Sequence, residues 1–135
     1  MIDLSLLKRS GPARGLFAAG LAFLFYGGWA YLVNSGHTQW IALRAGLVQG
    51  GYSFLLTLLT TALLEFLYRS LQSVRFRASL TLVICTAFLT GTGCLIHWLI
   101  GTPEILYTIL PGFILGTAYA AAYVRALHSL VEAAE

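Results

Sequence analysis

From Arg44 to Arg69 the chain reads R-AGLVQGGYSFLLTLLTTALLEFLY-R, and between the two arginines Glu65 is the one side chain that is charged at neutral pH. At about 1.5 Å of rise per residue, a helix over this stretch covers the roughly 30 Å hydrocarbon core of a bilayer. In lipid every backbone polar group has to be satisfied within the protein, and a single helix is the simplest way to do so. The same stretch carries a polar stripe. At about 100° per residue, Gln49, Ser53, Thr57 and Thr60 fall on one narrow face. Such a face turns toward protein or water, so the other helices are expected to gather around it.

Three more apolar runs are long enough to cross. The expected spans cover residues 15–33, 45–67, 78–100 and 105–124 of a single transmembrane domain, residues 1–135. Ser10-Gly11-Pro12 is expected to break any helix before the first span, and Asn34-Ser35-Gly36-His37 is turn chemistry. Thr38 is placed to cap the second helix. Gly101-Thr102-Pro103-Glu104 marks a tight hairpin: glycine ends one helix, threonine caps the next, proline takes its first position and glutamate its first turn. The tail after Val124 is expected to continue the last helix. The fold class is therefore an all-α integral membrane protein, an antiparallel bundle of four transmembrane helices.

Composition agrees. The chain has 135 residues, 59% of them hydrophobic and 10% charged, where a soluble domain carries about 25% charged residues. Its net charge of +3 is explained by position and implies no nucleic acid. Lys8, Arg9 and Arg14 precede the first span, Arg69, Arg75 and Arg77 lie between the second and third, and Arg125 follows the fourth. Arg44 alone falls on the other side. The positive-inside rule then puts both termini in the cytoplasm, N-in and C-in, with a bacterial cytoplasmic (inner) membrane as the expected location.

Polar residues concentrate in one layer, toward the extracytoplasmic side. Arg44, Gln49 and Ser53 lie near that end of the second helix, His97 ends the third, and Glu104 and Thr108 begin the fourth. This mixed-sign set is the candidate ligand-binding site, suited to a lipid head group with its tails between helices. Small-residue stripes continue it: Gly20, Gly27 and Tyr31 on the first helix, Thr86, Thr90, Gly93 and His97 on the third, and Glu104, Thr108, Gly112, Gly116, Tyr119 and Tyr123 on the fourth. Gly112-xxx-Gly116 is expected to permit close backbone approach.

No acidic residue occupies the middle of a span, which argues against a pump built on a buried carboxylate. Catalytic residues, metal ligands and cofactors are all expected to be none. Ser53, His97 and Glu104 can be drawn as a triad, but three common residue types in a polar seam carry little weight. The function expected is that of an accessory or assembly subunit without a catalytic centre, binding membrane lipid or partner helices through a polar seam open to the extracytoplasmic side. A homo-oligomer or a partner membrane protein fits the glycine-rich surfaces. The alternative is a small transporter, channel or lipid flippase using Gln49, His97 and Glu104.

Overall fold

The computed structural model describes residues 4–133, with side chains described from Gly11 onward. Four helices make up the fold: α1 (Leu4–Asn34), α2 (Gln39–Ser70), α3 (Arg77–Leu99) and α4 (Ile105–Glu132). Each is long and apolar enough to cross a membrane. Large apolar side chains such as Phe17, Leu24, Phe66, Phe88 and Leu106 stand exposed on the outside of the bundle. In water such a surface would be strongly unfavourable, and in lipid it is the ordinary exterior.

Each helix contains its expected span apart from Ile100, which caps α3, and α4 continues past Val124 as anticipated. The break expected at Ser10-Gly11-Pro12 is absent: α1 runs unbroken through Pro12. Part of the clash that turns the residue before a proline away from helical geometry involves its own Cβ, and Gly11 has none. Thr38 does cap α2, its hydroxyl accepting from the Ile41 backbone N–H at 3.4 Å.

α1 and α2 pack antiparallel along a glycine contact. A Cβ on Gly46 would stand 2.9 Å from the Gly27 carbonyl oxygen, and one on Gly50 would stand 2.9 Å from that of Phe23. A Cβ on Gly27 would reach 2.8 Å from the Gly46 oxygen. The two backbones therefore touch, which between membrane helices supplies the dispersion that water-driven burial cannot. The expected close approach at Gly112-xxx-Gly116 does not occur. Gly112 faces the Gln49 side chain, and a Cβ on Gly116 would meet nothing within 4 Å.

The α3–α4 hairpin closes differently from its sequence reading. Gly101, at φ 69°, ends α3. Its N–H bonds the Trp98 carbonyl and that of Thr102 bonds the His97 carbonyl, the paired closure that satisfies the last carbonyls of a helix. Thr102 is thereby drawn back onto α3 and does not cap α4, whose first residue is Ile105 and whose cap position is Glu104. Glu104 is thus not in the first turn. The cap is supplied from another helix, because the Glu104 N–H donates to Asn34 Oδ1 at 3.3 Å.

α2 touches the other three helices, while among the described residues α1 and α3 stay apart. At the end remote from the hairpin, Leu64, Tyr68, Cys85, Ala120 and Val124 form a buried cluster drawn from α2, α3 and α4 alone. α1 and α4 are joined instead near the hairpin end, where Trp29 Nε1 donates to the Tyr107 carbonyl at 2.8 Å. Between these two attachments the bundle leaves a gap.

Candidate functional site

The polar residues of the hairpin end form two separate networks. In the first, His97 hangs from the last turn of α3 and is fully buried. Its Nε2 lies 2.8 Å from Gln49 Oε1 on α2, and its Nδ1 lies 2.8 Å from Thr102 Oγ1. Gln49 Nε2 in turn donates to Ser53 Oγ, one turn further along α2, at 3.5 Å. The stripe on α2 therefore starts from an interhelical bond and continues into the bundle.

The second network joins α1 to α4. Asn34 Nδ2 donates to Thr108 Oγ1 at 2.8 Å and to the Ala30 carbonyl at 2.8 Å, while its Oδ1 caps α4 through Glu104. The Glu104 carboxylate stands 3.5 Å from His37 Nε2, both side chains being well exposed. Asn34 was not foreseen as part of a site; its neighbours Ser35 and Gly36 made it read as a turn residue.

Of the six residues expected to bind a ligand, Gln49, Ser53 and His97 are brought together. Thr108 and Glu104 belong to the other network. Arg44 joins neither: its guanidinium lies beside Gly101, and its Nε is buried without a hydrogen-bond partner. Among the described residues Arg44 forms no ion pair, so the mixed-sign cluster is not assembled. Nor is the triad. His97 faces Gln49 and Thr102, not Ser53 and Glu104. The polar layer is closed on itself, so the seam does not open at this end as its sequence reading expects.

The space lies deeper. A cavity of about 470 Å³ occupies the gap between α1, α2 and α4, with α3 closing its back. Gln49, Ser53, Thr57 and Thr60 all line it, so the polar stripe is its α2 wall. Thr57 and Thr60 donate their hydroxyls to the carbonyls of Ser53 and Leu56, which leaves mainly methyl groups toward the cavity. Gly112 and Gly116 form the α4 wall, so their small size makes room rather than a helix contact. Ala18 on α1 and Leu115 and Tyr119 on α4 line the cavity and are exposed, so it opens sideways between those helices.

The remaining stripe residues divide. Thr90 and Gly93 line the cavity, whereas Thr86 lies on a separate shallow depression between α3 and α4. Tyr119 bonds Thr61 Oγ1 at 2.6 Å, and Tyr123 donates to Glu65 Oε1 at 2.6 Å. Glu65 also faces Arg69 at 3.6 Å, the helix-end pair that their spacing of four predicts. The chain matches no protein-family model, and no similar protein was found among curated proteins or among solved structures.

Proposed function

We propose that the protein is a non-enzymatic subunit of the bacterial cytoplasmic membrane that holds a lipid-soluble molecule in its central cavity. The observation that carries this reading is the cavity itself: about 470 Å³, largely apolar, at mid-depth in the bundle and open sideways between α1 and α4. Its volume falls in the range of small-molecule sites, roughly 300–1,000 Å³. A lateral opening admits a molecule that is already dissolved in the bilayer, and the closed layer at the hairpin end keeps water away from it.

The distribution of Lys8, Arg9, Arg14, Arg69, Arg75, Arg77 and Arg125 supports an orientation with both termini in the cytoplasm and the hairpin end outside. A conduit would instead have to open through Gln49, His97 and Thr102, which are bonded to one another. Retention of a ligand, as by an accessory or carrier subunit, fits the geometry better than passage.

Native mass spectrometry of the protein, extracted gently from its own membrane, tests the reading. The wild type is expected to carry a small apolar adduct. Gly116→Phe, whose added atoms start in open space on the cavity wall, is expected to lose it while remaining folded. A bare wild-type chain, or an adduct retained equally by Gly116→Phe, would sink the cavity as a binding site.

A further inference from the structure

The cavity's polar end is built from donors. His97 is 1% exposed, with Nε2 on Gln49 Oε1 and Nδ1 on Thr102 Oγ1. The amide oxygen of Gln49 can only accept, so Nε2 carries a hydrogen whether the ring is neutral or protonated. With Oε1 held by His97, the NH₂ group of Gln49 is turned away, toward Ser53 at 3.5 Å and toward Gly112. An amide nitrogen has two hydrogens, and the long contact to Ser53 engages one of them. The second has no acceptor among the described residues, although Gln49 is only 3% exposed.

Two more donors share the wall. Ser53 accepts from Gln49, and its own hydroxyl hydrogen has no acceptor among the described residues. Tyr26 also lines the cavity, and its hydroxyl has no hydrogen-bond partner among the described residues. Gln49 and Ser53 are buried and Tyr26 half-buried; a buried donor without an acceptor is costly, and in lipid no water replaces the missing partner. No charged side chain lines the cavity among the described residues. A phosphate, carboxylate or ammonium group inside it would be desolvated with nothing to balance it.

Building on the reading of this cavity as a binding site, we propose that its ligand is a neutral lipid bearing a carbonyl oxygen. That oxygen accepts from Gln49 Nε2 and the Ser53 hydroxyl, and the apolar remainder lies toward Ala18, Ala22 and Leu115 at the lateral opening. His97 and Thr102 are positioning residues. They do not touch the ligand; they turn the Gln49 amide so that it presents hydrogens and not its oxygen.

Decyl-para-benzoquinone and decylbenzene test this, since they share a six-membered ring and a chain and differ in the two carbonyls. Both are titrated against the full chain in a mild detergent, with bound ligand counted by native mass spectrometry. The wild type is expected to prefer the quinone by about tenfold, and Gln49→Leu, which keeps the Ser53 hydroxyl, to lose most of that preference. The carbonyl stretch of the bound quinone is expected to fall below its frequency in hexane. In His97→Leu, where the amide oxygen is no longer held, decylbenzene binding is kept and that shift is reduced, the Ser53 hydroxyl remaining as a donor. Equal binding of the two probes by the wild type, or an unshifted carbonyl band, overturns the carbonyl ligand and leaves the cavity as a binding site. Binding of neither probe overturns both. The band is read on the wild type, so the test survives a variant that fails to fold.

Discussion

Asn34 Nδ2 donates to Thr108 Oγ1 across the α1–α4 interface at 2.8 Å, and both side chains are 0% exposed. The same asparagine bonds its own helix at Ala30 and caps α4 at Glu104. One buried amide thus ends the first helix, starts the fourth and holds the two together at the hairpin end of the bundle.

Asn34→Leu is therefore expected to destabilise the protein by about 1–3 kcal/mol, because it leaves the Glu104 N–H and the Thr108 hydroxyl without this partner. Thr108→Val removes one bond and should cost less. In a double-mutant cycle the two changes should couple by roughly 0.5–1.7 kcal/mol, the range found between membrane helices. Thermal unfolding in mild detergent measures all three. Strict additivity would mean that the Asn34–Thr108 bond contributes nothing.

The glycine contact between α1 and α2 makes a sharper contrast within one helix. Gly46→Ala sets a methyl group 2.9 Å from the Gly27 carbonyl oxygen, whereas a Cβ on Gly51 would meet nothing within 4 Å. The first change is expected to cost about 1–3 kcal/mol through overpacking that only a backbone shift can relieve. The second should be neutral or slightly stabilising, since alanine favours helix over glycine. Melting temperatures of the two variants decide the matter; equal values would show that α1 and α2 are not in backbone contact.

These residues show what the chain discloses about itself. The stripe of Gln49, Ser53, Thr57 and Thr60 was legible because helical periodicity is a local property, and all four line the cavity. The end of α3 at Gly101 was legible because few other residues accept a φ of 69°. Asn34 was not, because its burial depends on α4, which lies 74 residues away at Thr108. Gly46 and Gly50 were spaced like a packing motif, as were Gly112 and Gly116. Sequence alone could not say which pair meets a backbone and which faces a space. Arg44, Gln49, Ser53, His97, Glu104 and Thr108 share a depth, and five of them lie on polar helix faces, but neither property says which side chains meet, so two networks and an unpaired arginine read as one cluster.

Thr102 separates the local reading from the tertiary one. As a helix cap, position 102 would accept aspartate as readily as serine. As the partner of His97 Nδ1, it has to offer a hydrogen to a neutral ring whose Nε2–H is committed to Gln49. At pH 8, Thr102→Ser is expected to melt close to the wild type and Thr102→Asp about 1–3 kcal/mol lower. Aspartate equal to or better than serine would restore the cap.

Orientation can be read with cysteines placed in the two exposed loops. Ser35 lies in the connection between α1 and α2, and Ser73 in the connection between α2 and α3, at opposite ends of the bundle. Cys85 and Cys94 are both free thiols, so each is first replaced by alanine. A membrane-impermeant maleimide applied to intact cells, with the outer membrane permeabilised where there is one, is expected to label Ser35→Cys and spare Ser73→Cys. Inverted membrane vesicles should give the reverse. The charge argument is one-sided: Arg69, Arg75 and Arg77 flank Ser73, whereas the loop at Ser35 holds no lysine or arginine. Trp29, Trp40 and Trp98 all lie toward the Ser35 end, where amphipathic rings suit a membrane–water boundary. Aromatic residues mark a boundary without saying which, so the arginines alone assign the side. Labelling of Ser73→Cys from outside would place the closed polar layer in the cytoplasmic leaflet and invert the proposed topology. The cavity and its lateral opening would stay as they are.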